Sequence, residues 1–292
     1  MQLVFDNISI DPLTVWSGKA VEASVLRLDK IHPVVSGNKW FKLRYYLKEA
    51  KEMRCKKIIT FGGAWSNHIV ATAAACKMND IPVAGIIRGE KPASLSSTLK
   101  QAEEYGMELH FISREAYAEK TIPQSLRSDE NYLIPEGGFG QRGAAGAASI
   151  LDRVIGNYTH YCCAVGTGTM MAGLINAVSA GQQVIGTAVL KNNYALNENV
   201  RSLLSNQSKE WQIVYDYHFG GYAKHKPELL RFMNEFYEQN GIPSDFVYTG
   251  KLFYAVNDLI NADFFAPGSR LLLIHSGGLQ GNSSLEKGTL IF

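Results

Sequence analysis

The segment His160–Thr169 has the sequence HYCCAVGTGT, a short apolar run followed by two glycines that alternate with threonines. The run predicts a buried strand over 160–165, and the uncharged residues 170–180 after the glycines predict a helix. A strand, a glycine loop and a helix in this order are typical of βαβ units. The segment therefore predicts an α/β fold with a mostly parallel sheet.

The same glycine loop is predicted to bind a phosphate. Glycines let the backbone approach an anion closely, while hydroxyls and free N–H groups at the helix start donate to it. The residues concerned are Gly166, Thr167, Gly168 and Thr169. A dinucleotide loop would need a third glycine where Met171 stands and an acidic residue within 186–190, and no Walker A lysine follows. The loop therefore favours a compact phosphomonoester over a dinucleotide or ATP.

The rest of the chain repeats the alternation of strand and helix. Eight further runs rich in β-branched or aromatic residues predict strands at 25–28, 57–61, 83–88, 108–112, 132–134, 184–189, 213–217 and 271–275. Apolar residues that recur every three or four positions predict a helix over 40–54. At 292 residues the chain exceeds the usual size of one core. We predict a smaller α/β domain at 55–155, inserted into a larger domain formed by 1–54 and 156–292.

Composition disfavours several classes of protein. The chain is 46% hydrophobic and 19% charged, with 29 basic and 27 acidic residues, which predicts a soluble globular protein without a nucleic-acid partner. Polar residues and glycines interrupt the uncharged stretch 161–190, so no membrane partner is expected. Four cysteines without C-x-x-C spacing predict neither a disulfide framework nor a metal site. These thiols, and the lack of a secretory signal pattern in 1–10, favour a cytoplasmic location.

A turn of small residues, Ser36-Gly37-Asn38, delivers Lys39 to the start of the helix predicted over 40–54. A lysine in a concave site beside apolar neighbours can have its pKa lowered enough to form a Schiff base with an aldehyde. A lysine at a helix end is also commonly a solvent-exposed residue. Position alone leaves both interpretations open.

A second glycine loop follows the strand predicted over 57–61. It has the sequence GGAWSNH, ends at His68 and precedes a predicted helix. Free N–H groups at the start of that helix favour a carboxylate or a phosphate. Ser66 and Asn67 are equally common as helix caps, and a histidine in a first turn is often structural. Capping therefore remains an alternative to binding.

Two tyrosines near glycines, Tyr222 and Tyr248, and the loop HSGGLQG at the end of the strand 271–275 complete the candidate site. Loops that follow parallel strands meet at one edge of the sheet, so this loop is expected beside those after 57–61 and 160–165. The two tyrosines belong to 14 in the chain, and ordinary packing explains either one alone.

Together these segments resemble the fold-type II pyridoxal-phosphate (PLP) enzymes, within the branch of 1-aminocyclopropane-1-carboxylate deaminase and D-cysteine desulfhydrase. Five family elements occur in order along nearly the whole chain: GNKWFKL at 37–43, GAWSNH at 63–68, GTGT at 166–169, YTGK at 248–251 and HSGG at 275–278. The resemblance implies a tryptophan synthase β-subunit-like α/β fold of two open, twisted, mostly parallel sheets. It also implies that the larger domain binds PLP and that the substrate is a small amino acid. The resemblance further implies a homodimer.

The resemblance implies individual roles as well. The residues implied to act in catalysis are Lys39, Ser66, Tyr222 and Tyr248. Those implied to bind the cofactor are Lys39, which binds it covalently, Asn67, Gly166, Thr167, Gly168, Thr169, Tyr248 and Thr249. Those implied to hold the substrate carboxylate are Ser66, Asn67 and His68.

Two positions depart from the family pattern. Trp65 stands where relatives often carry a small polar residue or glutamine, which predicts a narrower pocket. Thr249 stands where aminocyclopropane-carboxylate deaminases carry a glutamate that protonates the pyridine nitrogen of the cofactor. A hydroxyl cannot hold that nitrogen protonated, so a weaker electron sink is predicted.

The leading hypothesis is a lyase that removes HS⁻ from D-cysteine, or a related β-substituted D-amino acid, by α,β-elimination to give pyruvate and ammonia, with Lys39 as the base. Opening of 1-aminocyclopropane-1-carboxylate to 2-oxobutyrate and ammonia is the alternative, and Thr249 counts against it. A catalytically silent binding protein is disfavoured by the lysine and the anion loops. A dinucleotide-dependent oxidoreductase is disfavoured by the missing third glycine.

Overall fold

The computed structural model describes residues 2–14 and 19–292. The strands there are β1 (Ile10–Pro12), β2 (Val21–Arg27), β3 (Lys57–Gly62), β4 (Val83–Arg88), β5 (Met107–Ile112), β6 (Asn131–Ile134), β7 (His160–Val165), β8 (Gln183–Ala188), β9 (Trp211–Val214) and β10 (Ser269–His275). The α-helices are α1 (Asn38–Glu52), α2 (Asn67–Lys77), α3 (Ser97–Glu104), α4 (Arg114–Ala118), α5 (Gln141–Ala148), α6 (Thr169–Ala177), α7 (Leu196–Arg201), α8 (Pro227–Asn240) and α9 (Thr249–Asn261). Short 3₁₀ helices cover Phe5–Asn7, Leu28–Ile31, Gln124–Leu126, Glu136–Gly138, Leu151–Arg153 and Leu279–Ser284.

The strands form two sheets. The larger has the order β1-β2-β10-β7-β8-β9, with all neighbours parallel except β1, which runs antiparallel to β2. The smaller has the order β5-β4-β3-β6 and is wholly parallel. Nearly every residue of the central strands β7 and β10 is buried, as expected where helices cover both faces of a parallel sheet. The predicted α/β class with two mostly parallel sheets is confirmed.

The nine predicted strands are all present; 83–88 and 160–165 have the predicted bounds, and the other seven have shifted ends. The strand predicted over 213–217 instead covers Trp211–Val214. It lies at the sheet edge and pairs only with β8, whose last residue but one, Thr187, is opposite Val214, so little of β8 is left to pair with later residues. β1 was not predicted, because a three-residue strand ending in proline shows no alternation. The longest described helix, α1, has 15 residues, and no helix of the described ranges could cross a membrane.

Helices α1 and α5 connect the two sheets. The strands of the smaller sheet all lie between 57 and 134. Ala144 and Ala147 of α5 nevertheless pack into the core of the larger sheet, whereas Tyr46 and Leu47 of α1 pack with the smaller one. Because elements of each predicted domain contact the core of the other, the boundaries at 55 and 155 stay a prediction.

Glycines allow α5 to pack closely between α1 and α6. A Cβ at Gly146 would overlap the backbone oxygen of Phe41 in α1. We expect Gly146→Ala to lower the free energy of unfolding by about 1–3 kcal/mol, because a backbone carbonyl cannot rotate away as a flexible side chain can. The helix-propensity gain of alanine, about 0.5–1 kcal/mol, is too small to offset this. Urea denaturation measures the change.

The matched control is Gly281→Ala. The Cβ of that variant would meet only Val247, at 3.8 Å, and Gly281 has no positive φ. We expect its unfolding free energy to stay within about 0.5 kcal/mol of the parent protein. Equal midpoints for the two variants would contradict the close packing of α5.

Candidate active site

A cavity of about 420 Å³ lies where the carboxyl ends of strands from both sheets approach each other. Loops after β3, β6 and β7 line it. The predicted site residues on its wall are Lys39, Ser66, Asn67, His68, Gly166, Thr167, Gly168, Tyr222 and Tyr248. Segments more than two hundred residues apart in sequence therefore meet in one concave site.

Lys39 reaches this cavity from the second position of α1. The turn before it depends on Gly37, whose φ of 59° is left-handed and whose missing side chain leaves room for the backbone of Ser276. The Lys39 Nζ donates to Asn38 Oδ1 at 2.7 Å and lies 5.7 Å from the centre of the Tyr248 ring. Burial lowers the pKa of Lys39 to about 8, although the Asp245 charge partly opposes the shift. A large share of this amine is therefore unprotonated at mildly alkaline pH.

A second amine, that of Lys42, lines the same cavity one helical turn later. Burial lowers the pKa of Lys42 well below its usual value, and the neighbouring charge of Lys39 lowers it further. Position in the cavity alone does not separate these two lysines. The assignment of the covalent link to Lys39 stays a prediction.

The loop after β3 presents the start of α2 to the cavity. Ser66 is the N-cap, and its hydroxyl accepts from the Ile69 N–H at 3.4 Å, so capping is part of its role. Asn67 and His68 form the first turn of α2, where backbone N–H groups have no partner within the helix. The positive end of the helix dipole therefore faces the cavity and favours a carboxylate.

His68 is neutral in this site. Burial lowers its pKa well below the usual value, and the nearby Lys42 and Lys39 charges add to the shift. The hydroxyl of Thr60 donates to the Ile134 carbonyl at 2.8 Å, so at its 2.8 Å contact with His68 Nε2 it accepts. Nε2 therefore carries the ring proton, and Nδ1 is an acceptor without a partner among the described residues.

The loop after β7, at the start of α6, is the predicted phosphate cradle. Gly168 is the N-cap of α6 with a φ of 87°, a conformation that favours glycine. Thr167 lines the cavity, and its hydroxyl lies 3.0 Å from that of Thr169, which is itself wholly buried. The loop also packs against Tyr248, whose ring would lie 3.4 Å from a Cβ on Gly166.

Thr249 lies behind the cavity wall, in contact with a buried carboxylate that sequence reasoning missed. The Asp245 carboxylate accepts N–H groups of Val247, Tyr248 and Thr249 at 2.9–3.0 Å. The Thr249 hydroxyl donates to it at 2.7 Å and accepts from the Asp245 N–H at 2.7 Å. Burial raises the pKa of Asp245, while these donors oppose the shift. The carboxylate accepts from the N–H two residues further on, as in an Asx-turn, so an aspartate shortly before a predicted helix is a turn signal that could have been recognised.

Tyr222 and Tyr248 both line the cavity, with their rings in an edge-to-face arrangement. Their ring centres are 6.3 Å apart, and the Tyr222 hydroxyl donates to the Trp65 carbonyl at 3.4 Å. Burial raises the pKa of both phenols, so each stays protonated at neutral pH. The Trp65 side chain is 44% exposed and borders the cavity, which remains open beside it.

Two charged residues that follow or end strands of the smaller sheet also line the cavity, and sequence reasoning did not predict them. Arg88, the last residue of β4, lines the cavity and lies 5.9 Å from the centre of the Tyr117 ring. Glu136 lines it after β6 and forms a salt bridge with Lys120. The Glu136-Gly137-Gly138 sequence after a strand repeats the strand-to-glycine-loop signal used elsewhere, and the same reasoning could have found it.

The site fits pyridoxal phosphate. The desolvated amine of Lys39 can react with the aldehyde of the cofactor, and the 166–169 loop at the start of α6 can bind its phosphate. The Tyr248 ring lies near both the Lys39 amine and Gly166 of that loop. Fold and site thus define an enzyme of the fold-type II PLP class. The chain belongs to the pyridoxal-phosphate dependent enzyme family, whose model matches residues 12–277.

Several individual proteins of known name are similar to this chain. A protein of Pyrococcus abyssi named "Putative 1-aminocyclopropane-1-carboxylate deaminase" is 29% identical over 289 residues, covering 89% of this chain and 86% of its own. The mitochondrial bifunctional D-cysteine desulfhydrase/1-aminocyclopropane-1-carboxylate deaminase of Arabidopsis thaliana is 27% identical, with coverages of 85% and 70%. A crystal structure described as an ACC deaminase homologue superposes with a TM-score of 0.81 at 26% identity, covering 94% of this chain and 90% of that one.

Proposed function

We propose that the protein catalyses α,β-elimination from D-cysteine or a related β-substituted D-amino acid. The observation that carries the proposal is Thr249, whose only hydroxyl proton is committed to the Asp245 carboxylate. The proposal takes from the family resemblance that residue 249 faces the pyridine nitrogen of the cofactor. Thr249 then has no proton to donate there, which leaves a modest electron sink.

The α2 start would bind the substrate carboxylate. The backbone N–H groups there and the Ser66 hydroxyl provide donors, and the helix dipole adds a favourable potential. Neutral His68 adds no charge to this group but fixes the loop through its hydrogen bond to Thr60. The amino acid would be held with its Cα toward Lys39, whose Nζ shares the same cavity.

Lys39 would act as the base. Its unprotonated Nζ takes the proton from Cα, the Cβ–S bond breaks with its electron pair leaving on HS⁻, and a Cα=Cβ double bond forms. Pyridoxal phosphate, when bound, supplies the electron sink for the pair left at Cα. Addition of water then releases pyruvate and ammonia. The pKa of Lys39 near 8 suits a group that both accepts and returns a proton.

The choice between elimination and ring opening follows from the strength of the electron sink. Elimination has a good leaving group at Cβ and an acidic Cα–H, so a modest sink suffices. The cyclopropane substrate has no α-proton and requires more stabilisation of negative charge. Ring opening remains the second candidate, because the names of the relatives in Pyrococcus abyssi and Arabidopsis thaliana include that activity.

The first experiment identifies products from D-cysteine, L-cysteine and 1-aminocyclopropane-1-carboxylate with purified holoenzyme. We expect pyruvate from D-cysteine with a higher kcat/KM than for 2-oxobutyrate formation from the cyclopropane substrate. A preference for the cyclopropane substrate would overturn the ranking. No turnover of any of the three would favour the silent-binder hypothesis.

The second experiment replaces Thr249→Glu. A carboxylate there raises the pKa of a facing pyridine nitrogen, which strengthens the electron sink. The ratio of the ring-opening rate to the elimination rate should therefore rise, by about tenfold for each unit of that pKa increase that is fully felt in the transition state of ring opening. Thr249→Gln is the matched control, because it has similar size and no charge. An equal ratio in both variants would contradict the proposed place of residue 249.

We further propose that the chain works as a homodimer in the cytoplasm. The family resemblance supports the dimer, and the four free cysteines fit a reducing compartment. Light scattering after size-exclusion chromatography tests the assembly. A monomer at working concentrations of the holoenzyme would contradict it.

A further inference from the structure

Lys251 is a buried lysine that the mechanism above does not use. It is the third residue of α9 and is wholly buried. Its Nζ donates to the backbone oxygens of His218 at 2.8 Å and Gly221 at 2.7 Å. Both acceptors belong to one turn, and Gly221 is followed directly by Tyr222. The side chain therefore connects α9 to the turn that carries a tyrosine of the cavity.

The turn itself adopts an unfavourable backbone conformation. Phe219 and Ala223 have φ values of 50° and 51°, in the left-handed region that non-glycine residues rarely occupy. Gly220 and Gly221 between them also have positive φ. Because a left-handed backbone is unfavourable for each of these two residues, the turn needs contacts from outside to keep this shape.

The internal bonds of the turn are few. The Gly221 N–H donates to the His218 carbonyl at 2.9 Å, and the Gly220 N–H donates to His218 Nδ1 at 2.9 Å. Lys251 adds two N–H donors from outside the turn. Burial lowers the pKa of Lys251 to about 8, and the nearby negative charge of Asp245 partly opposes this shift. Either protonation state keeps at least two N–H donors, so the contact does not depend on the charge.

Lys251 also lies on the element that carries the facing tyrosine. Tyr248 is the N-cap of α9, three residues before Lys251. The bond from Lys251 to the turn thus links the Tyr222 segment to the helix that holds Tyr248. The two rings that these segments carry lie 6.3 Å apart, centre to centre.

We propose that Lys251 is a positioning residue that holds the 218–221 turn and so places Tyr222 over the substrate. The inference rests on the proposed role of Tyr222 in catalysis. The role of Lys251 in holding the turn can be measured without cofactor or substrate.

The cofactor-free test is limited trypsin digestion of the apoprotein. Lys224 is exposed just after the turn, whereas Lys226 precedes Pro227 and resists trypsin. Lys251→Met, which keeps an unbranched side chain of similar length and removes the donors, should increase cleavage after Lys224 by about tenfold or more, because the segment opens locally. Lys191→Met is the matched control, since Lys191 packs beside Gly221 and is exposed, and its cleavage rate should match the parent protein.

The catalytic test is a double-mutant cycle on the holoenzyme with D-cysteine. Lys251→Met should lower kcat by about 10-fold to 100-fold, the effect expected of misplacing a reacting group by about 1 Å. In a Tyr222→Phe background the same change should alter kcat less than about twofold, because the group that it positions is already gone. If Lys251→Met does not fold, Lys251→Gln, which keeps an amide donor, takes its place with smaller effects in the same direction.

The outcomes separate the two proposals. Unchanged cleavage together with additive effects on kcat would overturn the role of Lys251. Faster cleavage, with kcat unaffected by Tyr222→Phe, would support the holding of the turn and refute the catalytic role of Tyr222.

Discussion

We expect Lys39→Ala to abolish covalent attachment of pyridoxal phosphate and to lower kcat by about 10²–10⁴-fold, the range expected for losing a positioned acid or base. Lys39 is expected to form the link because its Nζ lies beside the Tyr248 ring, which in turn packs against Gly166 of the phosphate loop. Borohydride reduction followed by peptide mapping should place the pyridoxyl label on Lys39. Lys42→Met is the control, and its label should stay at Lys39. A label on Lys42 with Lys39 unmodified would refute the assignment.

The same lysine predicts a pH dependence of cofactor uptake. Only the unprotonated amine attacks an aldehyde, and the pKa of Lys39 is lowered from 10.5 to about 8. Covalent uptake by the apoprotein should therefore slow about tenfold for each pH unit below about 8 and become constant above it. Stopped-flow absorbance measures the rate. A midpoint near the usual lysine pKa would show that the amine is not desolvated.

We expect Gly168→Val to weaken PLP binding more than Thr167→Ala does. Removing the Thr167 hydroxyl removes at most a hydrogen bond to a charged group, about 1.5–3 kcal/mol, or roughly 10-fold to 160-fold in Kd. A valine at Gly168 must adopt a φ of 87° and would place its Cβ 2.9 Å from Val200. The loop must then change shape, which removes several N–H donors together. Equilibrium dialysis should show a Kd at least about tenfold higher than that of Thr167→Ala.

Gly288→Val separates backbone strain from loss of the phosphate cradle. Gly288 has nearly the same conformation, with a φ of 88°, but a Cβ there would meet open space. Its substitution should leave the Kd for PLP unchanged. A similar loss of affinity in the Gly288 and Gly168 variants would mean that general destabilisation, not the cradle, explains the effect.

The sequence by itself determined the fold class and the family. Local patterns suffice for this, because periodicity records which faces are buried and a glycine loop after a strand records a backbone that approaches an anion. The segments at 63–68 and 166–169 were expected at one edge of a parallel sheet, and they do line one cavity. They follow strands of different sheets, so they meet because the carboxyl ends of the two sheets approach each other. The β-strand missed was β1, whose three residues show no alternation.

Only the tertiary structure decided which polar groups are available to react. Lys39 and Lys42 share the cavity, and their lowered pKa values arise from burial that no local pattern measures. The Thr249 hydroxyl is committed to Asp245, and Lys251 reaches a turn thirty residues earlier in the chain. Hydrogen-bond partners and desolvation depend on atoms brought together from distant segments. Sequence spacing therefore predicts the residues of this site, while the folded chain determines the protonation state and the hydrogen-bond partner of each.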